Sequence, residues 1–217
     1  MVSRLHYVHD PLCGWCWAAA PLIQAARELL PVQAHAGGLF LDDARRTMGA
    51  DWRAYVLPHD QRIAQLSGQP FGAAYQDGLL NDPTAWLDSE PPIAAMLAAD
   101  RLAGRGLDLL ARIQHAHYVD GRQVAKPSVL RELAETLGLD GEAFARELTA
   151  CIGDATRTHV QESRALLTRL GGRGFPTLAL ALEQGERWQL IDVSRHLGQV
   201  DGWRAWLQAQ LAVTPRG

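Results

Sequence analysis

Two cysteines three positions apart, Cys13 and Cys16 with Gly14-Trp15 between them, are the residues of this chain best suited to covalent chemistry. They follow a short β-branched and aromatic run and stand directly ahead of an Ala/Leu-rich stretch of helical pattern. A thiol at the mouth of a helix meets unpaired backbone N–H groups and the positive end of the helix dipole, and both stabilise a thiolate. A second thiol about one turn further on can close an intramolecular disulfide, so both halves of a redox cycle are present. Strand, C-x-x-C and helix in that order read as a dithiol redox site; half of a metal site and a chance pair are the alternatives. Exchange needs an exposed thiolate to attack and a second thiol to resolve the mixed disulfide. Cys13 takes the first role because it lies nearer the helix end and the solvent, and Cys16 takes the second. Gly14-Trp15 carries no charge, which leaves the dipole as the main stabiliser of the thiolate, and Trp15 belongs on the surface beside the thiols.

A strand and a helix must hold these thiols. Residues 5–9 alternate as a short strand, which Asp10-Pro11 ends. The helix after it takes its apolar face from Trp17, Leu22, Ile23, Ala26, Leu29 and Leu30, should bend at Pro21, and closes at Pro31. Residues 32–36 alternate as a second strand leading into Gly37-Gly38, which completes a β-α-β unit. Residues 41–150 then read as helix after helix, with breaks at Pro58, Gly68-Gln69-Pro70, Asn81-Asp82-Pro83, Pro91-Pro92, Gly104-Arg105-Gly106, Lys126-Pro127 and Gly138, and no convincing strand. Ser128 and Asp140 look like N-caps. A helix over 154–170 returns through Gly171-Gly172-Arg173-Gly174 to a run from Phe175 to Leu182. That run, a turn at 183–186 and residues 188–193 form a β-hairpin, and a terminal helix over 201–211 carries Trp203, Trp206, Leu207 and Leu211 on one face. With strands only at the two ends, the helical block must interrupt one α/β fold: residues 1–40 and 155–217 form one domain and 41–154 a helical insertion domain packed over the thiol face.

Composition narrows the function. The 217 residues carry a formal net charge of −3, which provides no basic field for nucleic acid and no polybasic patch for anionic lipid. No stretch approaches the roughly 18 apolar residues of a membrane span. The first ten residues lack the apolar core of a signal peptide, and three cysteines do not make a structural disulfide framework, so a reducing, cytoplasmic setting is expected. No cofactor is expected, and nothing in the sequence sets the oligomeric state.

The segment from Tyr7-Val8-His9-Asp10-Pro11-Leu12 through Cys13-Gly14-Trp15-Cys16 to Trp17-Ala18-Ala19-Ala20-Pro21-Leu22 resembles the active-site region of the DsbA-like branch of the thioredoxin superfamily, closest to its predicted protein-disulfide isomerases. The resemblance continues in His35-Ala36-Gly37-Gly38, in His117-Tyr118-Val119-Asp120-Gly121-Arg122 and in Gly172-Arg173-Gly174-Phe175-Pro176-Thr177, and so covers most of the chain. It implies a thioredoxin fold interrupted by a helical domain. It also implies that Pro176 is a cis-proline facing the thiols, with the backbone of Phe175 free to bind an extended substrate segment beside Cys13. Trp15 and Phe175 would then line the substrate groove. Two departures matter: no His stands between the cysteines, which argues against a strong oxidant, and Cys13 stands where related kappa-class glutathione transferases and chromene-carboxylate isomerases keep a Ser.

The remaining candidates have plain structural readings. Cys151, in an Ala/Leu/Ile context, reads as a buried small side chain. His159 reads as a surface or interface residue, and Asp10 as a cap of the first turn. Trp17, Trp188, Trp203 and Trp206 read as core, and Asp42-Asp43-Ala44-Arg45-Arg46 as a solvated helix face. A zinc site from Cys13, Cys16, Cys151 and a His would need remote ligands to converge, with no second C-x-x-C to help, so no metal is expected. The favoured function is therefore a thiol-disulfide oxidoreductase or protein-disulfide isomerase acting on disulfide-containing proteins or glutathione. A redox-inert thioredoxin-fold binding module and a glutathione-linked transferase or isomerase are the alternatives.

Overall fold

Segments from the two ends of the chain share one sheet. The structure, a computed structural model, describes residues 4–182 and 187–212. Strand β1 (Arg4–His9) is central: it pairs in parallel with β2 (Val32–Ala36) from Leu5↔Val32 to His9↔Ala36, and antiparallel with β5 (Thr177–Leu182) from Arg4↔Ala181 to Val8↔Thr177. Strand β6 (Arg187–Ile191) adds to β5, which gives the order β2-β1-β5-β6. β1 is buried on both faces after Arg4, and the Leu/Ala run of β5 is buried almost throughout, as central strands covered on both sides require. β6 is the edge strand, so Trp188, expected in the core, is 37% exposed and packs edge-on against His6. The turn expected at 183–186 lies outside the described residues.

Helix α1 (Gly14–Arg27) makes the crossover between β1 and β2 and buries Trp17, Leu22, Ile23 and Ala26. It stops at Arg27, so Leu29 and Leu30 pack from the loop beyond it. Pro21 lies within it and removes the N–H that the Trp17 carbonyl would accept. The Gln69 side-chain amide takes that place, donating to the Trp17 carbonyl at 2.9 Å, while the Trp17 indole N–H donates to the Pro70 carbonyl at 3.0 Å. The loop after the next helix is thereby stitched to α1.

Between β2 and β5 the chain is largely helical, but not wholly. A two-residue ribbon pairs β3 (Arg46–Thr47) with β4 (Trp86–Leu87), and Asp42–Ala44 is a 3₁₀ turn. The segment expected as a helix face is therefore a solvated turn and ribbon, with Arg45 paired to Asp88 at 3.0 Å. Helix α2 (Ala50–Ser67) runs through Pro58, where a break was expected, and ends at Gly68, whose φ of +74° lets the chain reverse. Then follow α3 (Glu90–Ala103), α4 (Gly106–Tyr118), α5 (Pro127–Thr136), α6 (Gly141–Cys151) and α7 (Asp154–Arg169). Asp140 caps α6 by accepting from the Ala143 N–H at 2.7 Å. Ser128 caps nothing: Pro127 starts α5 one residue earlier, because its fixed φ and missing N–H suit a first helical position. Helix α8 (Val200–Ala212) covers α1, with Trp203 fully buried and its indole N–H donating to the Leu22 carbonyl at 2.8 Å.

Candidate active site

The turn between β1 and α1 sets the thiols. Asp10, fully buried, accepts from the Leu12 N–H at 2.8 Å and the Ser89 hydroxyl at 3.1 Å on one oxygen and from the Leu39 N–H at 2.6 Å on the other. Burial holds its carboxyl above the usual carboxylate range, and these hydrogen bonds offset only part of that rise. Asp10 thus caps the turn rather than the helix: the N-cap of α1 is Cys13 itself, with no side-chain cap. The Cys13 carbonyl accepts from the N–H groups of Cys16 and Trp17, which leaves the first N–H groups of α1 without an intrahelical partner.

The two sulfurs differ in depth. Cys13 is 7% exposed and Cys16 is 0% exposed, the order expected, although Cys13 is more covered than an outward-facing nucleophile was expected to be. The Cys13 thiol lies 3.6 Å from the Phe175 carbonyl, and the Phe175–Pro176 peptide is cis. Burial, followed by the neighbouring Cys13 thiol, pushes the Cys16 thiol well up, and the Tyr7 hydroxyl approaches the Cys16 carbonyl at 3.5 Å. All three cysteines are free.

A cleft of about 250 Å³ opens beside Cys13, walled by Leu12, Trp15, Phe40, Leu87 and the inner face of α2. Trp52, Tyr55, Val56, His59, Asp60 and Ile63 all line it, at the three- and four-residue steps that put side chains on one face of a helix. The ring centroids of Trp52 and Tyr55 are 5.3 Å apart and those of Tyr55 and His59 5.1 Å, while the Arg46 guanidinium lies 4.8 Å over Trp52. Tyr55 is 61% exposed. Asp60 is 4% exposed, and one of its oxygens accepts from the Tyr75 hydroxyl at 3.1 Å. Burial pushes the Asp60 carboxyl up to about 7.

Trp15 lines this cleft as expected, whereas the Phe175 ring does not. It lies over Gly37, where an added Cβ would come within 2.2 Å of the ring, and it is the Phe175 carbonyl that meets the Cys13 thiol. Cys151 is fully buried, 3.8 Å from a Glu147 oxygen and away from the cleft lining. His159 joins α7 to β2 by accepting from the Ala36 N–H at 3.0 Å. Among the described residues no three His, Cys, Asp or Glu side chains converge as a metal-ligating group. The α2 stripe and Asp60 escape the sequence reading. Their signal is the period of residues 52, 55, 56, 59, 60 and 63, which the assumed stop at Pro58 cuts in two.

The DSBA-like thioredoxin domain family matches residues 4–195. The chain belongs to that family. It is similar to the cytosolic disulfide reductase DsbM from Pseudomonas aeruginosa, with 52% identity, a TM-score of 0.89, and coverage of 97% of this chain and 100% of that one. The same reductase in a structure with GSH gives a TM-score of 0.88 at the same identity. A 2-hydroxychromene-2-carboxylate isomerase, 19% identical with a TM-score of 0.56 over 96% of this chain and 98% of that one, shares the fold. The ClpXP adapter protein SpxH of Bacillus subtilis is 27% identical over 147 residues, 64% of this chain; the match spans about half of that relative, 46% of its length. Among the described residues no helix is long and apolar enough to cross a membrane.

Proposed function

We propose that this DSBA-like chain is a thiol-disulfide oxidoreductase in which Cys13 attacks a substrate disulfide and Cys16 resolves the intermediate. The observation that carries the reading is a free thiol at the open start of α1, beside the Phe175 carbonyl, with a second, deeper free thiol one turn on. The Cys13 thiolate bonds to one substrate sulfur and the substrate S–S bond breaks, releasing the other sulfur as a thiolate. Cys16, on losing its proton, attacks Cys13 and releases the second substrate thiolate. The substrate has gained two electrons and the Cys13–Cys16 pair has lost them. The raised Cys16 thiol keeps the second step waiting for the first, because Cys16 is held as a poor nucleophile until the mixed disulfide stands next to it.

Pro176 serves by bringing no N–H of its own to the sulfur, leaving the Phe175 carbonyl there, and Trp15 gives substrate an apolar surface beside the nucleophile. The 52% likeness to a cytosolic disulfide reductase supports reduction as the working direction and a cytoplasmic setting, and the GSH structure of that reductase supports glutathione beside protein disulfides as substrate. We further assign residues 1–40 and 155–217 to the thioredoxin-like domain and 41–154 to the helical insertion whose α2 closes the cleft.

Reduced protein mixed with insulin or glutathione disulfide tests the reading. Turnover is expected, with a Cys13–Cys16 bond and a free Cys151 in peptide mass spectra of the oxidised form. A dominant disulfide through Cys151, or protein that holds stoichiometric zinc and turns nothing over, overturns it.

A further inference from the structure

Thiol-disulfide exchange at Cys13 leaves a basic thiolate that must find a proton. The sulfur released by Cys13 departs into a cleft walled by Trp15, Ile63, Tyr75 and Tyr118, whose lining already holds a carboxyl group. We propose, on the reading above, that Asp60 is the general acid of the reaction: its cleft-facing carboxyl oxygen protonates the departing substrate thiolate.

Three observations place it there. The stripe of α2 carries Asp60 into the cleft that holds Cys13. A Cβ built on Gly14, the residue next to the nucleophile, would lie 3.6 Å from one Asp60 oxygen, so that oxygen sits over the start of α1. The Tyr75 hydroxyl occupies the other oxygen, and the Gly14-side oxygen has no hydrogen-bond partner among the described residues. Asp10, the other buried carboxylate near the thiols, has its oxygens committed to Leu12, Leu39 and Ser89.

The surroundings hold the proton ready. Sharing the cleft lining with Asp60 are Tyr75, His117 and Tyr118, His59 on its own helix, and Cys13; neither Lys nor Arg lines the cleft, so no permanent cation forces the carboxyl to ionise. With burial pushing it up to about 7, both protonation states coexist near neutral pH, where a general acid must give up a proton and regain it. The balance closes: carboxyl and substrate thiolate become carboxylate and substrate thiol, and the carboxylate is reprotonated from water at the cleft mouth.

Two substrates that differ in leaving group decide the matter. Glutathione disulfide releases a strongly basic thiolate that gains from a proton donor, whereas the nitroaryl disulfide dithionitrobenzoate releases a weakly basic one that needs none. Asp60→Asn is expected to lose roughly tenfold or more in kcat/KM on glutathione disulfide and to stay near wild type on dithionitrobenzoate. Asp60→Glu should recover part of the loss. Tyr75→Phe, by removing a hydrogen bond that favours the ionised carboxyl, should move the alkaline fall in glutathione disulfide reduction to higher pH. Equal losses on both substrates, or no loss on either, overturn the role of Asp60. Wild-type protein that reduces neither substrate overturns the oxidoreductase reading itself.

Discussion

His9, one residue before the thiol turn, should make folding fail in acid in a way one substitution can measure. It is fully buried, stacked on Tyr7 at 4.6 Å, and neither ring nitrogen has a hydrogen-bond partner among the described residues. Burial, then the nearby His159 and His35, lower its pKa from 6.5 to about 3. The native state therefore keeps His9 neutral while the unfolded chain protonates it below about pH 6.5. Because the folded pKa is depressed, stability is intact above 6.5 and is lost as pH falls toward 3, at about 1.4 kcal/mol per pH unit. Taken from 6.5 to 3, this amounts to a loss of about 2 kcal/mol at pH 5 but only a few tenths at pH 7, set against a typical total of roughly 5–15 kcal/mol. Asp60 acts in the opposite sense, since a carboxyl raised to about 7 favours the fold as pH falls, so the wild-type slope is a sum. His9→Phe isolates one contribution, because it removes the titration and keeps an aromatic ring on Tyr7. Urea unfolding of both proteins under reducing conditions at pH 7 and pH 5 should show the stability difference moving by about 2 kcal/mol in favour of the variant at the lower pH. Parallel pH profiles for the two proteins would refute the assignment of His9 as a buried neutral imidazole.

Further outcomes follow from the site and its supports. Cys16→Ser should accumulate mixed disulfides with glutathione or substrate proteins on non-reducing gels and in mass spectra, whereas Cys13→Ser should trap almost nothing and lose reductase activity; equal trapping would move the nucleophile to the other sulfur. Gly37→Ala should cost roughly 1–3 kcal/mol by driving a methyl into the Phe175 ring, and should slow disulfide reduction as the Phe175 carbonyl shifts from Cys13. Gln69→Ala should cost about 1–3 kcal/mol by leaving the Trp17 carbonyl without the donor that Pro21 cannot supply, read as a lower urea midpoint.

What could be read in the chain was local. Cys13 and Cys16 declare themselves because one turn of helix fixes their relation, and β1, α1 and β2 follow from alternation and helical period within a few residues of each other. Pro176 needed the resemblance, since the carbonyl of the residue before it meets the Cys13 thiol across 162 positions of sequence. The missing half of the site is tertiary. Asp60 looks in sequence like one more charge on a polar helix, and it becomes a buried acid only because α2 lies across the start of α1. Pro58 looks like a stop, yet α2 runs through it. Trp188 loses its expected core setting because β6 is the edge of the sheet while β1 is its middle, and strand order is not a local property.

The reach of Asp10 has a mechanical consequence. Its carboxylate holds together the turn ahead of Cys13, the chain leaving β2 at Leu39, and Ser89 at the entry to α3. That corner of the cleft is a fixed post, and the insertion cannot swing away there without dragging along the turn that precedes Cys13. If the cleft admits substrate as proposed, the way in is from the opposite side, where Arg46, Trp52 and Tyr55 meet solvent. Sequence drift around Arg46, Trp52 and Tyr55 would change which disulfides gain entry, while drift around Asp10 would decide whether there is a doorway.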